Sequence, residues 1–292
     1  MLEPIQNTFF LGHSKIEKEL FEDYQNKTLP HSMIFYGEKG IGKETFAIRF
    51  ARFILSKNKQ VSTDFSVEKN DKIIKQIIEN NCLNFHKISK NPEKTSEIID
   101  VEQIRNLIKK LRVKIEKDEN RIILINPANI MNRNATNALL KLLEEPPENT
   151  IFILIADTLD NILPTIKSRC RLIRFSRLSN DEVQKIADFS NTKITEKELK
   201  KSKGSVGKLK KILEEKKLIE SFEKLLKTPT EINSLLKKKL SKNDMEFLYN
   251  EVIDVLQNKN DFDKIKELNE LWKNYKMHDL DQKTTLLLML DL

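Results

Sequence analysis

The chain has 292 residues, enough for two or three cores, and carries a net charge of +8 at neutral pH. Its 39% hydrophobic content includes no apolar run near the ~20 residues of a membrane span, and the N-terminus lacks a charged-then-apolar leader pattern. Cys82 and Cys170 stand alone and far apart, which excludes a disulfide framework and a four-cysteine zinc site and leads us to expect a cytoplasmic protein without metal.

In chain order, residues 1–30 read as an opening strap and a helix over 15–24. Leu29-Pro30-His31-Ser32 then leads into an apolar strand at 33–36. Gly37-Glu38-Lys39-Gly40-Ile41-Gly42-Lys43 follows, and an apolar helix runs from Phe46 to Ile54. The chain has only six glycines, and three of them, Gly37, Gly40 and Gly42, fall in this loop. A strand, a glycine loop and a helix are what a phosphate-binding P-loop needs. The glycines let backbone amides face a phosphate, the helix start adds positive potential, and Lys43 supplies a point charge.

One residue on, the pattern fails. A P-loop places Ser or Thr after the lysine to ligate magnesium. Here Glu44 stands there, and Thr45 comes one residue late, ~100° further round the helix. A carboxylate at that point repels phosphates. Whether the loop holds nucleotide or only closes a strand–helix turn stays open on these residues.

Residues 56–72 are polar and read as a surface insertion, 73–78 as a short helix, and 85–88 as a strand. Asp100 with Gln103 forms a capping box ahead of a helix faced by Ile104, Leu107 and Leu111. The strand 121–125 ends in Asn126-Pro127, where a magnesium-holding aspartate and a water-orienting glutamate are needed. Neither residue carries a charge. Ala135, Leu139, Leu142 and Leu143 repeat at helix spacing up to Pro146-Pro147, and strands follow at 151–156 and 172–175. Strands alternating with helices predict a parallel sheet covered on both faces. Beyond 176 only helices are expected, with a break at Thr228-Pro229-Thr230. The domains are therefore placed at 1–176, 177–228 and 229–292.

Asn137-Ala138-Leu139-Leu140-Lys141-Leu142-Leu143-Glu144-Glu145-Pro146-Pro147 resembles a helix-ending signature of the clamp-loader ATPases of the AAA+ class. The segments 29–32 and 100–105 resemble further stretches of that family. Ser168-Arg169-Cys170 resembles its arginine-finger motif, and Gly204-Ser205-Val206-Gly207-Lys208 the start of its lid helix. The losses at Glu44, Asn126 and Pro127 resemble the delta-prime branch of bacterial clamp loaders. The resemblance is dense from about 8 to 215 and thin beyond.

It implies an α/β P-loop AAA+ core followed by a small helical lid and an all-helical, collar-like oligomerisation domain. It also implies a non-hydrolysing subunit of the DNA polymerase III clamp loader. Its partners would be motor subunits of the gamma/tau type and a delta subunit, and indirectly the sliding clamp and primer–template DNA. Arg169, framed by Ser168 and Cys170, would reach the ATP of a neighbouring subunit. The chain itself would need no cofactor, with weak ATP or ADP binding at Gly37, Gly40, Gly42, Lys43 and Thr45 left open. The family often carries a zinc module after the P-loop helix; Cys82 is the only cysteine there, so no zinc is expected. Thr158 is a loose match to a sensor position after the fourth strand, and Lys208 reads more readily as a solvated lysine than as a phosphate ligand. An active motor ATPase with displaced catalytic groups is the main rival reading, and a small-metabolite kinase ranks last.

Overall fold

The computed structural model describes residues 3–57, 64–68, 70–90, 98–116 and 118–227. Towards the C-terminus it describes 245–246, 249–250, 252–253, 256–257, 261–277, 281, 284–285 and 288–289. The chain divides into two compact units, Met1–Leu209 and Lys210–Leu292. The expected break at 228–230 and helix over 231–240 lie outside the described residues, and the expected helices at 245–256 and 282–290 are described only in part.

The first unit is built on β1 (Ser32–Tyr36), β2 (Phe85–Ile88), β3 (Arg121–Ile125), β4 (Thr150–Ala156) and β5 (Arg171–Arg174). All neighbours pair in parallel, in the order β2-β3-β4-β1-β5. Parallel strands must be covered on both faces, and the sequence supplies apolar residues to both. Met33, Phe35, Ile122, Leu124, Ile153 and Ile155 face one core with Phe46, Phe50 and Phe53 of α2 (Lys43–Leu55). The alternate residues Ile34, Ile123, Ile125, Phe152 and Leu154 face the other, with Leu107 of α4 (Val101–Leu111) and Leu139 of α5 (Arg133–Glu144). On the first face, α1 (Ser14–Gln25) contributes Leu20 and Phe21, and α3 (Lys72–Ile78) contributes Ile73, Ile74 and Ile77.

The helix starts follow the sequence. Asp100 accepts from the Gln103 amide while the Gln103 side chain accepts from the Asp100 amide, closing the expected capping box. Asn132 caps α5, and Ser179 closes a second box at α7 (Asn180–Phe189). A short α6 (Pro164–Lys167), unforeseen from periodicity because it spans one turn, starts with proline at its first position. α8 (Glu196–Ser202) precedes α9 (Val206–Lys227), in which no Pro or Gly follows Gly207 at the helix start.

In the second unit, α10 (Phe262–Met277) carries Leu268 and Trp272 into a small cluster with Met245, Leu256 and Met289. Trp272 stacks between Tyr249 and Tyr275, at ring separations of 4.5 and 5.2 Å, so it is a core residue. Among the described residues no helix is long and apolar enough to cross a membrane.

Candidate functional site

The loop at 37–42 leaves the C-terminal end of β1 and enters α2. Gly40 has φ 82°, and a Cβ there would sit 2.8 Å from the Gly207 Cα, so both its conformation and its neighbour demand glycine. The His13 ring donates from Nε2 to the Ile41 carbonyl at 2.8 Å and pins the far side of the loop. Burial lowers its pKa below the usual histidine value.

Lys43 does not point to solvent. It is 4% exposed, and its ammonium group donates to the carbonyls of Gly37 (2.5 Å) and Glu38 (2.7 Å) and to Asp157 Oδ1 (3.0 Å). An ammonium has three N–H donors, and all three are spent within the chain. Burial lowers the Lys43 pKa, while the Asp157 carboxylate works against that shift. Asp157 reaches it through sheet register. Tyr36 of β1 lies opposite Ala156 of β4, so the next residues, Gly37 and Asp157, leave the sheet side by side. Thr158, the loose sensor match, is the neighbour of the residue that makes the contact.

The other departures from a working motif are also placed. Glu44 forms an ion pair with Lys87 of β2 at 2.5 Å, and Thr45 is half-buried on α2. Asn126 follows β3 at the same end of the sheet and donates its backbone N–H to the Ile88 carbonyl at 2.9 Å. Pro127 opens a 3-10 turn over Ala128–Ile130.

The start of α9 lies on the loop. The Gly207 amide donates to the Gly40 carbonyl at 2.9 Å, and the buried Ser205 hydroxyl donates to the Lys39 carbonyl at 3.0 Å. Glu38 joins both sides: Arg177 donates from Nε to its carboxylate at 2.7 Å, and Lys208 approaches at 3.4 Å. The Arg177 hydrogen bond is the main reason the Glu38 pKa lies below the usual carboxylate value. Lys208 therefore pairs with a side chain of the loop itself.

At the opposite end of β1 sits Ser168-Arg169-Cys170. Arg169 is exposed on the turn after α6. Its Nη1 donates to the Thr165 carbonyl (3.0 Å) and meets Ser168 Oγ (3.3 Å), and its Nη2 pairs with Glu144 at the end of α5 (2.7 Å). The Ser32 hydroxyl at the start of β1 donates to the Arg169 carbonyl at 2.5 Å, and His31 donates from Nε2 to the Leu143 carbonyl at 3.3 Å. Leu29-Pro30-His31-Ser32 thus braces the arginine turn. Cys170 is buried, and burial pushes its thiol up to about 11, far from a nucleophile's range.

Asp157, Glu38, Glu144 and Ser32 escaped the sequence reading as contact residues. Counting from the glycine loop to the matching end of β4 finds Asp157; the other three lie in motifs the sequence marks, but nothing in those motifs names their partners. Among the described residues no cluster of His, Cys, Asp and Glu could hold a metal. A groove of about 1470 Å³ at the outer edge of β2, lined by Ile73, Cys82, His86 and Arg121, lies at the far edge of the sheet from β1 and its loop.

Residues 12–179, more than half the chain, match the family described as DNA polymerase III, delta subunit. A delta-prime subunit of DNA polymerase III from Pseudomonas aeruginosa is 32% identical over 140 residues, covering 48% of this chain and 41% of that protein. A gamma subunit of DNA polymerase III from Buchnera aphidicola is 28% identical over 173 residues, covering 59% and 46%. The solved structure of a gamma-subunit-related protein from Thermotoga maritima superposes with a TM-score of 0.45 at 18% identity, covering 93% of this chain and 97% of that one. The matches span less than half the length of these curated relatives. On the family match over residues 12–179, the chain belongs to the DNA polymerase III delta-subunit family, as a subunit of the delta-prime type.

Proposed function

We propose that this chain is a non-hydrolysing subunit of a clamp loader and that it supplies Arg169 to the ATP site of a neighbouring motor subunit. One contrast carries the reading. The cation of the chain's own loop, Lys43, has every N–H committed to its own chain. The exposed Arg169 keeps its Nε–H uncommitted among the described residues. A guanidinium is always charged and grips phosphate oxygens in pairs, which suits it to act across a subunit boundary.

A hydrolysable magnesium nucleotide does not fit the residues present at the loop. Magnesium normally bridges the β- and γ-phosphates, held by a loop hydroxyl and a carboxylate at the strand end. Here the carboxylate next to Lys43 is paired with Lys87, and the strand ends in Asn126 and Pro127. The partners on this reading are gamma/tau-type motor subunits and a delta subunit in a cytoplasmic hetero-oligomer, acting on a sliding clamp at primer–template DNA. The chain needs neither nucleotide nor zinc of its own.

The isolated chain should turn over no ATP above background. In a loader reconstituted with its motor subunits, Arg169→Ala should cut hydrolysis at the adjoining site by ~10³-fold or more. Turnover by the isolated chain would favour the active-motor reading, and an unaffected R169A loader would refute the role of Arg169.

A further inference from the structure

We infer that Glu144 is a positioning residue for Arg169, holding the guanidinium in the pose from which it reaches a partner's phosphate. The inference rests on the arginine-finger reading above. A free arginine side chain loses much rotamer freedom when it binds, so prior ordering favours the bound state. Three contacts provide that ordering here. Thr165 and Ser168 hold Nη1 from the same turn, and Glu144 holds Nη2 from the last residue of α5, 2.7 Å away.

Only Glu144 comes from a different element, so it alone fixes the direction of the side chain relative to the sheet. That element is itself tied down. His31 bonds the Leu143 carbonyl, next to Glu144, and the adjacent Ser32 bonds the Arg169 carbonyl. Two consecutive residues thus fix the backbone on both sides of the ion pair. Glu144 approaches the guanidinium at Nη2 alone. The Nε–H makes no hydrogen bond among the described residues, so a donor stays available for a phosphate oxygen. The carboxylate therefore orients the cation without exhausting it.

The pair is half exposed, so it adds little to stability and its loss should leave the fold intact. The effect belongs in kcat, because an arginine that engages the transferring phosphate acts on the transition state rather than on ATP binding.

The test uses the reconstituted loader with primer–template DNA and clamp. Glu144→Ala should lower the stimulated kcat by about three- to tenfold with KM for ATP unchanged and no shift in the melting temperature of the chain. Glu144→Gln, which keeps an acceptor oxygen in place, should stay within about twofold of the parent. The double variant E144A/R169A should be no slower than R169A alone. If E144A is as fast as the parent, or E144Q is faster than the parent while R169A still abolishes stimulation, the positioning role is wrong and the finger stands. If R169A itself has no effect, both fail together.

Discussion

At the scale of single residues, two cations define this protein. Lys43 sits where a P-loop lysine meets phosphate, yet it is buried against two carbonyls and Asp157. Those contacts tie the loop to the ends of β1 and β4. Lys43→Ala would strand the Gly37 and Glu38 carbonyls and leave Asp157 unpaired, a loss of about 1–3 kcal/mol. Denaturant unfolding should read this as a lower midpoint at unchanged slope; an unchanged midpoint would show that the three contacts stabilise nothing. The sequence announces the substitutions at Glu44, Asn126 and Pro127 because each is defined by its distance from a motif. It is silent on Asp157 and Glu38 as partners, because those contacts arise only when β4 aligns with β1 and α9 comes to rest on the loop. Arg169 was legible through its tripeptide, whereas the brace from Ser32, 137 positions earlier, was not.

At the scale of elements, β1, β3 and β4 are readable as apolar runs because they are buried on both faces, while the edge strands β2 and β5 carry His86, Lys87, Arg171 and Arg174 and show only short apolar stretches. The strand order depends on long-range pairing, which no local pattern encodes. The helix starts at Asp100 and Ser179 both follow local capping chemistry. The glycine loop and the start of α9 meet backbone to backbone. A Cβ on Gly207 would lie 2.6 Å from the Gly40 Cα, a backbone atom that cannot swing aside. Gly207→Ala should therefore push the helix start off the loop. We expect a loss of about 1–3 kcal/mol, as for other overpacked sites, with faster amide exchange at 205–209 and 37–43. Exchange equal to the parent would mean that the junction yields at no cost.

At the scale of the whole molecule, the chain comprises two units with separate cores. The only tryptophan, Trp272, lies in the second. Its fluorescence therefore follows the second unit, while far-ultraviolet dichroism follows both. The two signals should give different unfolding midpoints, because two-state behaviour is not expected of separate cores. Coincident curves would show that the units melt as one. The first unit was the more legible in sequence because motifs and strand–helix alternation reinforce each other there. The second offers only amphipathic helices, whose partners periodicity alone does not identify.

One strand gives the molecule a mechanical character. β1 is roughly 16 Å long; its first residue grips the backbone of Arg169, and its last feeds the glycine loop closed by Lys43. In an engine that fires on fuel exchange, such a strut would rock with every stroke. On the proposed function, with Lys43 closing the loop at one end, this strut would stay still and the subunit would act as a fixed bracket. It delivers its charge to the same point in each cycle, and timing is left to its neighbours.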